Sequence, residues 1–183
     1  PYGLSYLFGA KVRVPGVDLP DNEIWQVDER ELLRPSDYDH ILEDGWKAFF
    51  KNFLKLRVFN DAGIHLLPKN LKKSDVLGLW QKEGVPVLSG GDVTTPFELL
   101  CGARSLEKFF LDLTTIPDKI SAVMDEMAPL LAGKAIEKAS KNGYPMVWVG
   151  GWRAAPELIS PEMWERFAWK YLKRLVIEII DSG

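Results

Sequence analysis

Two short stretches carry the residue types from which a binding or catalytic site can be made. The first runs from Ser89 to Thr95 and offers Asp92, Thr94 and Thr95 beside the pair Gly90-Gly91. A carboxylate and two hydroxyls can hold a polar ligand, and glycines let the backbone approach it closely. Pro96-Phe97-Glu98 follows, and a helix starting there presents free amides and a positive dipole end suited to a carboxylate. The second stretch runs from Gly150 to Ile159 and offers Trp152 and Arg153 after a glycine pair, with Glu157 further on. Arg can clamp a carboxylate or phosphate through its forked guanidinium, and Trp can lie flat on a planar ligand. A plainer reading stands beside each. Thr95 and Glu98 would cap the helix while Asp92 faces water; Arg153 would pair with Glu157 while Trp152 packs under its loop.

Other reactive residue types are sparse. His40 lies in the first turn of an amphipathic segment and His65 in an irregular one, and neither has a second His or Cys at metal-ligand spacing. Cys101, the single cysteine, sits in an apolar helix start and reads as a small buried residue. Lys69, Lys72 and Lys73 form a basic cluster that reads as a solvated face. Ser89-Gly90-Gly91-Asp92 lacks the third glycine and the lysine of a phosphate-binding loop.

The elements that must position these stretches follow from apolar periodicity. Lys11-Val12-Arg13-Val14 alternates before a Pro15-Gly16 turn, which predicts a short extended piece; 17–34 reads as an irregular acidic surface excursion. Ser36 and Asp39 are spaced to cap a helix over 37–58, and a shorter helix over 72–83 ends at Gly84. The apolar runs 85–88 and 146–149 are short and β-branched, and read as buried strands. Thr95-Pro96-Phe97-Glu98 predicts a helix start, with Thr95 as N-cap, Pro96 in the first position and Glu98 as reciprocal cap. Ser105 can cap a second piece to Leu113. Pro117 opens a long helix to about Asn142 that Pro129 should kink, and Ser160-Pro161 starts a last helix whose apolar step has no miss.

Short apolar strands alternating with helices predict an α/β fold with a parallel sheet covered by helices. The chain of 183 residues, with 23 basic and 26 acidic groups, is mildly acidic and mixed in charge. That argues against nucleic-acid binding by bulk electrostatics. One cysteine excludes an internal disulfide framework, and the absence of an 18-residue apolar run argues against a membrane span. No basic-then-apolar leader opens the sequence, so the cytoplasm is the expected compartment. The chain begins on Pro1 and finishes on Asp181-Ser182-Gly183; both ends read as cut, and two strands are too few to stand alone.

Several motifs, taken in order, resemble the uroporphyrinogen decarboxylase superfamily. Thr95-Pro96-Phe97-Glu98-Leu99-Leu100, Arg104-Ser105, Phe110-Leu111, Leu113 and Pro117 are similar to its third-strand loop and following helices. Glu157-Leu158-Ile159-Ser160-Pro161-Glu162-Met163-Trp164, with Tyr171-Leu172-Lys173-Arg174, resembles the segment after strand four, and Gly9-Ala10-Lys11-Val12 to Pro15-Gly16 the flap after strand two. The resemblance implies a partial (β/α)8 TIM barrel spanning roughly strands two or three to four, since a closed one takes ~250 residues. Residues 1–35 would be the flap and surface loop, 36–84 helices, and 85–183 strand–helix units. It further implies a parent enzyme acting on a tetrapyrrole or a corrinoid protein. Methyl transfer to or from a corrinoid, with zinc, is expected first. Uroporphyrinogen decarboxylation in haem biosynthesis, a cofactor-free lyase reaction, is the alternative, and a non-catalytic tetrapyrrole- or corrinoid-binding module the third. The family's Tyr after strand three stands here as Gly102 and its Ser after strand four as Gly151, which weighs against decarboxylation. The essential strand-two acid would precede Pro1, and the zinc ligands belong to later strands. No metal ligand or cofactor is expected within these residues and no catalytic residue is assigned; the isolated chain should be inactive, and either self-association into a homo-oligomer or missing chain would cover open sheet edges. Asp92, Thr94, Thr95, Trp152 and Arg153 are the residues expected to contact substrate.

Overall fold

The computed structural model describes residues 11–54, 76–86, 89–144 and 146–183. They form a mixed α/β structure, mostly helical, with two small sheets. Strand β1 (Lys11–Arg13) pairs antiparallel with β2 (Gln26–Asp28). The stretch read as an irregular excursion therefore contains a strand. It is held by a cross-strand pair, Arg13 Nε donating to Asp28 Oδ1 at 3.0 Å, which periodicity does not register. Residues 1–10, with the start of the flap motif, lie outside the described residues, as do His65, Lys69, Lys72 and Lys73.

The single helix expected over 37–58 is two, α1 (Pro35–Asp44) and α2 (Trp46–Phe53). Gly45 between them has φ of +79°, a backbone state that favours glycine and interrupts the helical ladder. Ser36 lies inside α1 and is not its cap. The Arg34 N–H donates to Asp37 Oδ2 at 2.6 Å, and Asp39 pairs with Lys119 at 2.7 Å. Residues 55–58 and 72–75 lie outside the described residues; the remainder of the shorter helix is α3 (Val76–Lys82).

Strand β3 (Ser89–Thr94) comes later than the apolar run expected to form it. Val85 and Pro86 precede the strand, and Val87 and Leu88 lie outside the described residues. The glycines read as a ligand loop are strand residues, and a helix explains them. A Cβ on Gly91 would fall 2.7 Å from the Ala135 carbonyl oxygen, and one on Gly90 3.2 Å from that of Ala139. Both alanines belong to α6 (Pro117–Asn142), which lays the buried stripe Ala128, Ala132, Ala135 and Ala139 toward its neighbours. Small residues on both partners let helix and strand backbones approach.

β3 runs parallel to β4 (Met146–Gly150), with α4 (Pro96–Arg104), α5 (Leu106–Thr115) and α6 between them in sequence. α6 continues as one helix through Pro129. The last helix has three parts: α7 (Pro161–Met163), a π-helical stretch (Trp164–Trp169) and α8 (Lys170–Asp181). Its turn is thus widened where an unbroken α step was expected.

The main core joins α1, α2, α4, α5 and α6 around Tyr38, Ile41, Phe97, Phe109 and Met124, all fully buried. A buried polar tie runs through it. Asp112 Oδ2 accepts from Arg104 Nε at 2.8 Å and from the Tyr38 hydroxyl at 2.7 Å, joining α1, α4 and α5. Val93, Ala132, Ala135 and Leu175 pack β3 against α6 and α8, with Val147 and Val149 beside them. Side chains alternate across a strand, so Met146 and Trp148 occupy the other face, 49% and 63% exposed. No helix of the described residues is long and apolar enough to cross a membrane.

Candidate functional site

The carboxyl ends of β3 and β4 meet where Thr94 Oγ1 donates to the Gly150 carbonyl at 2.7 Å. In parallel α/β structures this end is where the loops gather. From β3 the chain passes through Thr95 into α4, with Thr95 in extended backbone and its Oγ1 accepting the Glu98 N–H at 3.4 Å. The predicted N-cap is present, and Pro96 opens the helix. Glu98 departs from the expected reciprocal cap. Its Oε1 instead accepts three successive backbone N–H groups of the other loop: Trp152 at 3.0 Å, Arg153 at 2.7 Å and Ala154 at 3.0 Å.

Successive amides converging on one point form a concave anion receptor, and here the chain supplies the anion itself. Glu98 is 6% exposed, so the charge rests on these donors and not on water. A Cβ on Gly151 would lie 3.0 Å from Glu98 Cγ. The glycine leaves the room that the carboxylate uses.

Arg153 turns back over this junction. Its guanidinium lies 4.2 Å above the Trp152 ring, a cation–π contact. Its Nη1 is 3.7 Å from Glu98 Oε2 and its Nε 3.8 Å from Glu29 Oε1, while Nε is buried without a hydrogen-bond partner. Gly102 makes the space: a Cβ there would sit 3.5 Å from the Arg153 guanidinium carbon. The carboxylates beside Arg153 are thus those of Glu98 and Glu29, where pairing with Glu157 had been the alternative. Trp152 is 65% exposed and does not pack beneath its loop.

Thr95, Glu98 and Trp152 line a cavity of about 290 Å³, with Val149, Gly150, Gly151, Ala154 and Ala155 continuing its wall. Trp164, Ala168 and Leu172 line it from the last helix. Those three recur every four residues and read in the sequence as a core-facing stripe; only the position of the loop after β4 turns them into a cavity wall. Of the five residues expected to contact substrate, the structure gathers Thr95 and Trp152 in the wall, sets Arg153 against the Trp152 ring, and uses Thr94 as the tie between the strand ends. It sets Asp92 apart, its side chain 65% exposed and paired with Lys138 of α6.

Among the described residues, no group of three or more His, Cys, Asp and Glu stands close enough to hold a metal ion. Burial pushes the Cys101 thiol up to about 12, with nearby Arg153 opposing, the reverse of what a zinc-bound thiolate needs. The described residues do not fit a zinc site. A corrin macrocycle does not fit inside the cavity either, whose size suits a small ligand or one edge of a larger one. No family model, no curated protein and no solved structure matches the chain.

Proposed function

We propose that the chain is a central fragment of a (β/α)8 barrel of the uroporphyrinogen decarboxylase type, whose parent enzyme transfers methyl groups to or from a corrinoid protein. The motifs behind the resemblance support this by where they fall. Thr95-Pro96-Phe97-Glu98 starts α4 at the end of β3, and Glu157 to Trp164 leads from the loop after β4 into the last helix. The parallel β3–β4 pair carries helices on one face and exposed Met146 and Trp148 on the other, as two adjacent strands of a barrel would.

The observation that favours methyl transfer over decarboxylation is the character of the cavity. Uroporphyrinogen is a polycarboxylate and needs cations along its binding surface. The described lining residues include no cation, and Glu98 is their one ionisable group. Arg153, whose guanidinium lies beside this wall, is engaged between Trp152, Glu98 and Glu29. Gly102 and Gly151 agree, because the space a larger side chain would take holds the Arg153 guanidinium and the Glu98 side chain. Zinc and activation of the methyl acceptor would belong to other parts of the parent protein.

The test is to incubate the full-length protein with methylcobalamin, zinc and a thiol and to follow the corrinoid's visible spectrum. Loss of the methylcobalamin bands with a matching yield of methyl thioether is expected. An unchanged spectrum, together with conversion of uroporphyrinogen to coproporphyrinogen, would contradict the proposal.

A further inference from the structure

The cavity at the ends of β3 and β4 has a size and lining that specify a ligand class. More of its wall is apolar than polar: Val149, Trp152, Trp164, Ala168 and Leu172 stand opposite Thr95 and Glu98, with Gly150 and Gly151 as bare backbone. A dry apolar cavity of ~150 Å³ accepts benzene. At about 290 Å³, this one has room for a single ring with substituents and not for a whole tetrapyrrole macrocycle.

The two indoles are already committed on one side each. The Trp152 ring is covered by the Arg153 guanidinium at 4.2 Å, and the Trp164 ring stacks on Trp169 with centroids 5.4 Å apart and planes 14° from parallel. What these rings offer the cavity is the remaining face or edge of a side chain held from behind. A rigidly backed indole is a good surface for another ring, because contact costs little side-chain entropy.

Charge is selected against in both directions. An anion would meet Glu98, whose Oε1 already accepts from the amides of Trp152, Arg153 and Ala154. A cation would find that same carboxylate compensated by these donors, with Arg153 Nη1 3.7 Å from Oε2. The cavity holds a carboxylate in its wall without offering a free charge to pair with.

We propose that this cavity binds a small uncharged aromatic molecule, one substituted ring, seated between Trp152 and Trp164. The proposal rests on reading the cavity as the ligand site of a barrel mouth. It does not require the parent's reaction to be methyl transfer, so a negative methylcobalamin assay leaves it standing and a negative binding assay leaves that reaction open.

Saturation-transfer NMR and calorimetry on the full chain, with anisole, benzoate and benzylammonium as probes, test it. Anisole should bind at one site, and benzoate and benzylammonium at least about tenfold more weakly, since each carries a charge into an apolar space. Trp152→Ala removes an exposed ring and should weaken anisole about two- to tenfold. Ala155→Trp fills the cavity from a half-buried loop position and should abolish binding, with far-UV circular dichroism unchanged. Absence of anisole binding, equal binding of the three probes, or anisole binding undiminished in Ala155→Trp would overturn the proposal.

Discussion

Glu98 shows how one side chain can belong to two local patterns at once. Three residues after Thr95 it has the spacing of a reciprocal cap, yet its Oε1 is spent on the amides of Trp152, Arg153 and Ala154. Charge-assisted bonds to a buried carboxylate are strong, and three donors lose their acceptor together if it is removed. Glu98→Ala should therefore lower stability by about 2–4 kcal/mol in urea unfolding. Glu98→Gln keeps an acceptor oxygen and should lose less. The buried tyrosines make a second prediction at this scale. Burial raises the Tyr38 and Tyr171 hydroxyls above their ordinary value, with Asp112 and Asp125 adding to it; burial also raises the Cys101 thiol. A group whose folded value is raised contributes fully below its unfolded value and loses that contribution as pH rises through the folded one. The chain should keep its stability up to roughly pH 9 and lose it steadily above about pH 10. Urea midpoints across that range check this, and a variant carrying Tyr38→Phe and Tyr171→Phe should show a shallower loss.

Among the elements, α6 organises the site without touching it. It packs on β3 through Ala135 and Ala139 and so fixes the strand that delivers Thr94 and Thr95. Gly91→Ala should cost about 1–3 kcal/mol, because its Cβ meets the Ala135 carbonyl at 2.7 Å and a backbone atom cannot rotate away. Gly102→Ala places its Cβ at an ordinary 3.5 Å from Arg153 and serves as the matched control in thermal melts. This contrast marks what sequence reading reaches. Helix starts with their own chemistry were legible: Thr95-Pro96, Pro117 and Ser160-Pro161 each open a helix where expected. The end of α6 before Gly143, at φ +73°, was equally plain. Strand β3 was not legible, because its glycines answer to a helix far away in sequence, and strand propensity cannot see that partner. The break at Gly45 and the widened turn at Trp164–Trp169 escaped for a related reason: an apolar period carries on through either.

For the molecule as a whole, the unequal covering of the β3–β4 sheet is the main physical fact. One face is buried under α6 and α8, while Met146 and Trp148 stand largely exposed on the other. Large apolar side chains on an exposed sheet face favour association, so the isolated chain should self-associate with rising concentration in sedimentation velocity. Trp148→Lys should weaken that association by about tenfold or more. The barrel reading, the cavity and its proposed ligand all depend on one junction, where Glu98 of α4 holds the loop that follows β4. Amide hydrogen exchange at Trp152, Arg153 and Ala154 tests that junction most directly. In the native chain these three amides should exchange slowly, and in Glu98→Ala they should exchange freely while α6 stays protected. Fast exchange at these amides in the native chain, or protection unchanged by Glu98→Ala, would contradict it.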